Sequence, residues 1–571
     1  MRKSLLVGTL LLAASFGYAQ NNNATVTQTG VGNIAIADQT GMDNNANQVQ
    51  DGSDNFGYVF QFGVDNAANQ EQIGNDNSSN VFQNGMGNSS NQFQLGEENL
   101  TVIDLSGTGN SSGVSQEGTL NASHIRVING AYNTSSVNQF GEGNIANAEV
   151  ADGGFGNSVD ITQEGEGNLV GTTTDFTDPG VIQDGDANEA TVNQYGYVNN
   201  ARVWQQGNNN ASNQDQDGEY NNAFVEQYGD YSSASQTQIG ADNNAYIGQV
   251  GFGASAADYN EATQVQDGHD NYADIVQMGI SNGATQTQIG EFNVATATQI
   301  GEGSYSNQDQ VGELNDAVVW QAGVENGADQ YQVGAWNYAD AYQEGNNNYA
   351  DQEQYGNYNI AGAEQYDSYS AAFQVQVGED NQAYVWQVGT GSGAADYNMV
   401  VQEQYGVYNN AFAVQFGQGN SAGQYQSGAD NYAVSTQFGD ENSVVQEQYD
   451  ELNYANAFQL GMGNSAYQLQ FGAFNVANSV QEGLGNEAFQ EQDGIFNMGE
   501  VFQTGLGNSA TQYQFGADNL AIGVQLGAFN ASMQYQDGFG NYSLTTQFGI
   551  GNNAASFQFG IGNVSVITQS N

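Results

Sequence analysis

A glutamine stands at every eleventh position from Gln404 to Gln569, and an asparagine follows five residues after each of them except the last. Every second unit of this run gives the pairs Gln404 and Asn409, Gln426 and Asn431, Gln448 and Asn453, Gln470 and Asn475, Gln492 and Asn497, Gln514 and Asn519, Gln536 and Asn541, and Gln558 and Asn563. A glycine usually lies two residues after the glutamine, and a small residue two after the asparagine, as in Gly516 and Ala521. A period of twenty-two overlies the first, because alternate units carry Q-x-Q, with the extra glutamine at Gln402, Gln424, Gln446, Gln468, Gln490, Gln512 and Gln534. The structural unit is therefore two non-identical segments of eleven. A fixed period of this length is the mark of a stacked array.

The residues ahead of each glutamine alternate with period two, which predicts strands rather than helices. In the stretch from Ala510 to Phe515, Ala510, Gln512 and Gln514 share one face, and Thr511, Tyr513 and Phe515 share the other. Gly516 and Asn519 are expected to bracket a tight turn, since both residue types tolerate positive φ. The face of Gln, Asn, Ala, Ser and Gly hardly varies from unit to unit. The other face exchanges Glu and Tyr freely, as at Glu403, Tyr425, Glu447 and Tyr513. A face that accepts carboxylates without partners is a wet one, so the constant face is the interior. Stacking at about 4.7–4.8 Å sets Gln over Gln and Asn over Asn, each amide donating to the next and accepting from the last. Such ladders satisfy groups that cost about 1–3 kcal/mol each when buried alone.

Charge narrows the partners. The formal net charge is −59, with 4 basic residues against 63 acidic ones. Arg2 and Lys3 lie in an apolar N-terminal stretch that reads as a secretory signal peptide over 1–19, cleaved between Ala19 and Gln20. Only Arg126 and Arg202 remain beyond it. Nucleic-acid binding needs cations to displace counterions and is excluded. Anionic membrane surfaces are excluded on the same ground, and no later stretch is apolar enough for a transmembrane helix. The absence of cysteine rules out disulfides.

Residues 20–571 read as a single array of about 24 two-strand rungs, with insertions near 164–182, 250–265 and 388–403. Leu105 and Ile128 stand in for glutamine, and small insertions near Thr119 and Gly153 read as bulges or longer arcs. Pro179, the sole proline, falls in the first large insertion, as a residue without a ladder donor should. The two later insertions resemble each other, Ala256-Ala257-Asp258-Tyr259-Asn260 against Ala394-Ala395-Asp396-Tyr397-Asn398, at an offset of 138 residues. Ser232 and Ser370 replace the turn asparagine at the same offset. A block duplication overlies the short repeat.

The sequence resembles the curlin repeat, whose pattern is Gln, then Gly-x-Gly-Asn, a small residue, and Gln again. Gln459, Gly461, Gly463, Asn464, Ala466 and Gln470 match it, as do Gln503, Gly505, Gly507, Asn508, Ala510 and Gln514. The second glycine is often replaced, as at Asp518 and Phe529. The resemblance implies an all-β, cross-β amyloid-like β-solenoid of strand–turn–strand rungs. It also implies secretion to a bacterial cell surface as an extracellular fibre, with an outer-membrane secretion channel, chaperones and a nucleator as partners.

The expected function is thus a fibre subunit that polymerises end to end with itself, since the first and last units stay on pattern where a monomeric solenoid would carry atypical caps. The alternative is a non-polymerising surface adhesin that uses outward aromatics such as Trp204, Trp320, Trp336 and Trp386 to bind glycans or proteins. Cross-strand pairing is the plainer role for those rings. Turn acids such as Asp518 and Glu441 scatter rather than recur, which favours diffuse counterions over metal sites. His124 and His269 stand far apart with no companion chemistry, so no catalytic site or cofactor is expected.

Overall fold

The computed structural model describes residues 21–171, 179–251, 258–390 and 396–571. The signal peptide and its cleavage point at Ala19 and Gln20 lie outside the described residues, as do Ala256, Ala257, Ala394 and Ala395. Among the described residues there is no helix, and every named element is a strand. The chain is an all-β parallel β-solenoid of about 24 turns, with stacked positions about 22 residues apart. It divides into two compact units, Met1–His269 and Asp270–Asn571.

One rung of the second unit shows how the repeat folds. Strand Ser509–Ala517 carries Q-x-Q, Asp518 and Asn519 form the corner, and strand Leu520–Ala528 carries the single glutamine. The next rung lies in parallel register on both, with Gln512 opposite Gln534, Gln514 opposite Gln536 and Gly516 opposite Gly538. In the other sheet Gln525 stands opposite Gln547. Among the described residues double-glutamine strands stack on one another, and so do single-glutamine strands, giving two facing sheets. Each is an open ladder: Val564–Ser570 pairs with Tyr542–Ile550 alone. In-register stacking follows from the period, because a slip of one residue would turn every amide outward.

The interior is as thin as the alternation predicts. Ala510, Gln512, Gln514, Asn519, Ala521 and Gln525 are at most 2% exposed. Their alternate neighbours Thr511, Tyr513 and Val524 lie on the outer faces, half-buried between the rungs above and below.

The corner differs from the expectation in one respect. Gly516 does have positive φ, but the left-handed residue is Asp518 (φ 55), not Asn519. Gly463 (φ 64) and Gly507 (φ 59) occupy the same place, so the second glycine of Gly-x-Gly-Asn is the left-handed corner. The asparagine belongs to the interior instead.

The insertions keep to the array. The first splits one strand. Leu169–Val170 and Val181–Asp184 both pair with Ile145–Val150. Pro179 bridges to Gly171 there. Near Thr119 the register is regular, and the extra residue lies further on, as a bulge between Val127 and Gly130 in strand Ala122–Ala131. That shift makes Val127, not Ile128, the residue stacked on Leu105.

The duplicated Asp-Tyr-Asn has a structural role at each position. Asp258 and Asp396 are buried and accept backbone N–H groups, from Asp230 at 2.9 Å and from Ser368 at 3.3 Å. Tyr259 (φ 47) and Tyr397 (φ 50) are left-handed corners. Asn260 and Asn398 are buried in the asparagine column. Each insertion therefore ends by plugging loose backbone donors and rejoining the ladder.

Candidate functional site

The repeated polar interior is the candidate site. Three columns of glutamine and two of asparagine run through it. In the main column of the double-glutamine sheet each Nε2 donates to the Oε1 of the next rung: Gln404 to Gln426 at 2.8 Å, Gln426 to Gln448 at 2.8 Å, Gln448 to Gln470 at 2.8 Å, and Gln470 to Gln492 at 2.8 Å. Gln492 to Gln514 at 2.7 Å, Gln514 to Gln536 at 2.9 Å and Gln536 to Gln558 at 2.8 Å continue it. The extra column from Gln402 to Gln534 and the single-sheet column from Gln415 to Gln569 run the same way, as in Gln512 to Gln534 at 2.8 Å and Gln525 to Gln547 at 2.9 Å.

The second hydrogen of most of these glutamine amides joins the sheets. Gln514 Nε2 also donates to the carbonyl of Met498 in the facing sheet at 2.9 Å, and Gln512 Nε2 to that of Glu500 at 2.9 Å. A side chain that binds the next rung with one hydrogen and the opposite sheet with the other fixes both the stacking and the thickness of the core.

The asparagine columns run in the opposite sense. Asn431 Nδ2 donates back to Asn409 Oδ1 at 3.1 Å, Asn453 to Asn431 at 3.2 Å, Asn475 to Asn453 at 3.1 Å and Asn497 to Asn475 at 3.1 Å. Asn519, Asn541 and Asn563 continue it at 2.9, 2.9 and 2.8 Å. The same Oδ1 accepts a backbone N–H, Asn519 N reaching Asn497 Oδ1 at 3.2 Å. Asn519 Nδ2 also donates forward to the carbonyl of Gly538 at 3.1 Å. Its amide thereby holds the corner of the rung on either side. The periodicity marks these residues as a column, but the opposed direction of the two ladders is a matter of side-chain length that spacing does not carry.

Glycine completes the set. At Gly461 a Cβ would strike the carbonyl oxygen of Gly483, and φ there is +127°. The backbones of successive rungs meet at this column, which is why glycine recurs two residues after glutamine.

On the outer faces the rings stack along the same axis. Trp320 lies on Tyr342 at 4.2 Å with planes 10° apart, and Trp336 on Tyr358 at 6.1 Å with planes 11° apart. Trp204 meets Tyr228 at 5.8 Å and Trp386 meets Phe416 at 5.4 Å. Trp204, Trp320 and Trp386 thus take part in cross-strand pairs of an outer sheet surface, and Trp336 (φ 59) in a stack of corner residues.

Two carboxyls on these faces are held above their ordinary range. Burial pushes Asp340 up to about 6, helped by Glu364 and Asp316, and Asp351 up to about 6, helped by Glu353 and Asp329. Tyr349 donates to Asp329 at 2.8 Å beside them. Among the described residues no group of three or more His, Cys, Asp or Glu is placed to hold a metal ion. Asp518 and Glu441 are corner residues with positive φ. His124 faces outward on the single-glutamine sheet opposite Val102, where burial lowers its pKa.

A model of the curlin associated repeat matches residues 185–213. No curated protein shows significant similarity to the chain. The matched segment spans strands Glu189–Tyr197 and Asn200–Gln206 with the corner between them, and its columns continue above and below. The curlin repeat is a unit of structural, amyloid-type proteins of the curli kind, a family that forms fibres outside the cell. The matched unit and the long repeated β-solenoid around it together fit a curlin-repeat protein.

Proposed function

We propose that the chain is a secreted structural subunit that polymerises with itself into curli-like extracellular amyloid fibres, which support a biofilm matrix, adhesion and aggregation at a bacterial cell surface. One observation carries the reading: identical amides stacked in parallel register, each donating to the next, as from Gln470 to Gln492 to Gln514. The bonds that join rung to rung within a chain would join a rung of one chain to a rung of another with no new chemistry. An outer-membrane channel, chaperones and a nucleator are the partners this reading requires. It involves no cofactor and no catalytic step.

The test is polymerisation of the purified mature chain. Fibres should form that bind thioflavin and diffract at about 4.8 Å along their axis. Growth should speed up at low pH or high salt as repulsion between these strongly acidic chains falls. A chain that stays monomeric at high concentration and low pH rejects the proposal. The alternative, a non-polymerising adhesin, draws support from the exposure of Trp336 (51%) and Trp386 (45%). A glycan array without a hit would remove its sugar-binding form.

A further inference from the structure

We infer that the outer face of the single-glutamine sheet between Asn410 and Ser570 is a side-by-side docking surface for the same face of a second copy of this chain. The central outward row of its eight strands reads Val414, Thr436, Phe458, Val480, Phe502, Val524, Thr546 and Thr568, without a charge. A neighbouring row adds Phe416, Phe438 and Leu460 and, beyond Glu482 and Thr504, Leu526 and Phe548. Leu460, Leu526 and Phe548 are 46%, 38% and 41% exposed. Contiguous apolar surface of this kind marks an interaction site.

Charge selects the occupant. Over the same rungs the outward positions of the double-glutamine sheet carry Glu403, Glu447, Glu451, Glu487, Glu491, Asp493 and Asp537. The single-glutamine face carries Asp440, Glu482 and Glu500, all off the central row. Earlier in the same unit that sheet is itself acidic, with Asp274, Glu302, Asp316, Asp340, Glu344 and Glu364 facing out. In a chain of net charge −59, two copies meet strong repulsion on most approaches. This face is where carboxylates would be least opposed.

Geometry selects it too. The rows repeat at the strand spacing of about 4.8 Å, and another sheet of the same spacing matches that step all along its length. Rows of Val, Thr and Phe are the surface that faces its like when sheets pack about 10 Å apart. Eight strands about 4.8 Å apart, each about seven residues long with about four side chains facing out, cover on the order of 800 Å² per copy, the area of a standard stable interface. The pairing is independent of growth along the axis and holds for a folded chain or a fibre.

The experiment measures mass per unit length, by scattering or by electron microscopy, on the full mature chain. Wild type should give twice the value of Phe458→Glu with Phe502→Glu. A control with the same added charge on the opposite face, Leu469→Glu with Phe489→Glu, should match wild type. Circular dichroism checks the fold of each. If the glutamate pair does not fold, Phe458→Asn with Phe502→Asn takes its place under the same readout. The inference is overturned if wild type has the single value, if the double variant keeps the doubled value, or if the control loses it too. Wild type at the single value that floats with phosphatidylcholine vesicles overturns it in favour of a lipid partner. Loss of axial growth changes length and not mass per length, so failure of the fibre reading is told apart from failure of this one.

Discussion

Two stretches of interior use the same corner and different fillings. From Gln402 to Gln534 in the second unit, the extra column is amide throughout. In the first unit the same column reads Gln92, Val114, Val137, Ile161, Val192 and Gln214 in register. The single-sheet column changes alongside it, from Gln83 through Leu105, Val127 and Val150 back to Gln183. These side chains are buried and pack as one aliphatic cluster. The main column does not change: Gln116 still donates to Gln139 at 2.8 Å, and Gln139 to Gln163 at 2.8 Å. Nor do the asparagines, since Asn110, Asn121, Asn133 and Asn144 are 0% exposed. One glutamine column and the asparagine corners therefore suffice to hold register, and the other two columns can be replaced by grease.

The replacement comes in blocks for a reason visible at its edges. Glutamines pass a hydrogen forward, so the first one after a break has an acceptor with no donor behind it. Gln48 stands over Val26, Gln183 over Val150 and Gln214 over Val192, and among the described residues their Oε1 atoms are the buried glutamine oxygens without a partner. A break leaves one orphan however many rungs it spans, and scattered swaps would leave one each. Grouping the aliphatic rungs keeps the number of such edges low.

The largest effects should come from breaking either filling. Gln470→Leu removes the donor to Gln492 and the acceptor for Gln448, and should destabilise its rung by about 3 kcal/mol. Val137→Gln places an amide between Val114 and Ile161 and should cost about 2–4 kcal/mol. Val114→Gln should cost less, because Gln92 below it can donate into the new acceptor. Local hydrogen exchange is the measurement, since a long array does not unfold in two states. Equal costs at Val114 and Val137 would refute the account of edges.

Glycine divides in the same way between contact and conformation. Gly461→Ala drives a Cβ into the carbonyl of Gly483 at φ +127°, and about 3 kcal/mol of local stability should be lost. Gly463→Ala keeps φ 64 with nothing within 4 Å, so only the left-handed penalty applies, about 1 kcal/mol. Exchange of the amides in Tyr454–Met462 reads both.

The rungs, their facing sheets and the buried amides were legible because period and alternation write them into residues such as Gln514 and Asn519. The role of the corner was not. Asn519 and Asp518 are adjacent, both types tolerate positive φ, and only the backbone shows which one takes it. Nor was the bulge legible at Val127, where Ile128 fits the count equally well and stacking on Leu105 decides. The aliphatic block was half visible, at Leu105. Its second column at Val114 and Val137 escaped notice because a valine in a strand pattern looks ordinary until it is seen between amides.

Acid should separate exterior from interior by a smaller margin. Burial raises Asp340 and Asp351 to about 6 from an ordinary 3.8. The folded chain then binds protons more tightly than the unfolded one between those values, so stability rises as pH falls from 7 through about 6 toward 4. Strands Tyr338–Asn346 and Tyr349–Asn357 should gain exchange protection between pH 7 and pH 5, after correction for intrinsic rates. The main column beneath them has nothing to titrate. Met498–Leu506, over the same kind of amide interior, should change less. An equal gain in all three would place the effect in net charge and not in these carboxyls.

The smallest effects belong to the corners, where the penalty for left-handed φ meets the gain from stacking. Phe529 (φ 54) is 61% exposed and lies over Gly507. Phe474 (φ 58) stacks on Phe496 at 4.7 Å. Glycine at either site relieves about 1–2 kcal/mol of backbone penalty and costs about 0.5–1 kcal/mol in chain entropy. Phe529→Gly loses no ring pair and should stabilise its rung by about 0.5–1 kcal/mol. Phe474→Gly also loses a stack worth about 0.5–1.5 kcal/mol and should come out near zero or slightly destabilising. Exchange of the amides flanking each corner gives both values, and a stabilised Phe474→Gly would mean that the outer rings add nothing to the ladders they cover.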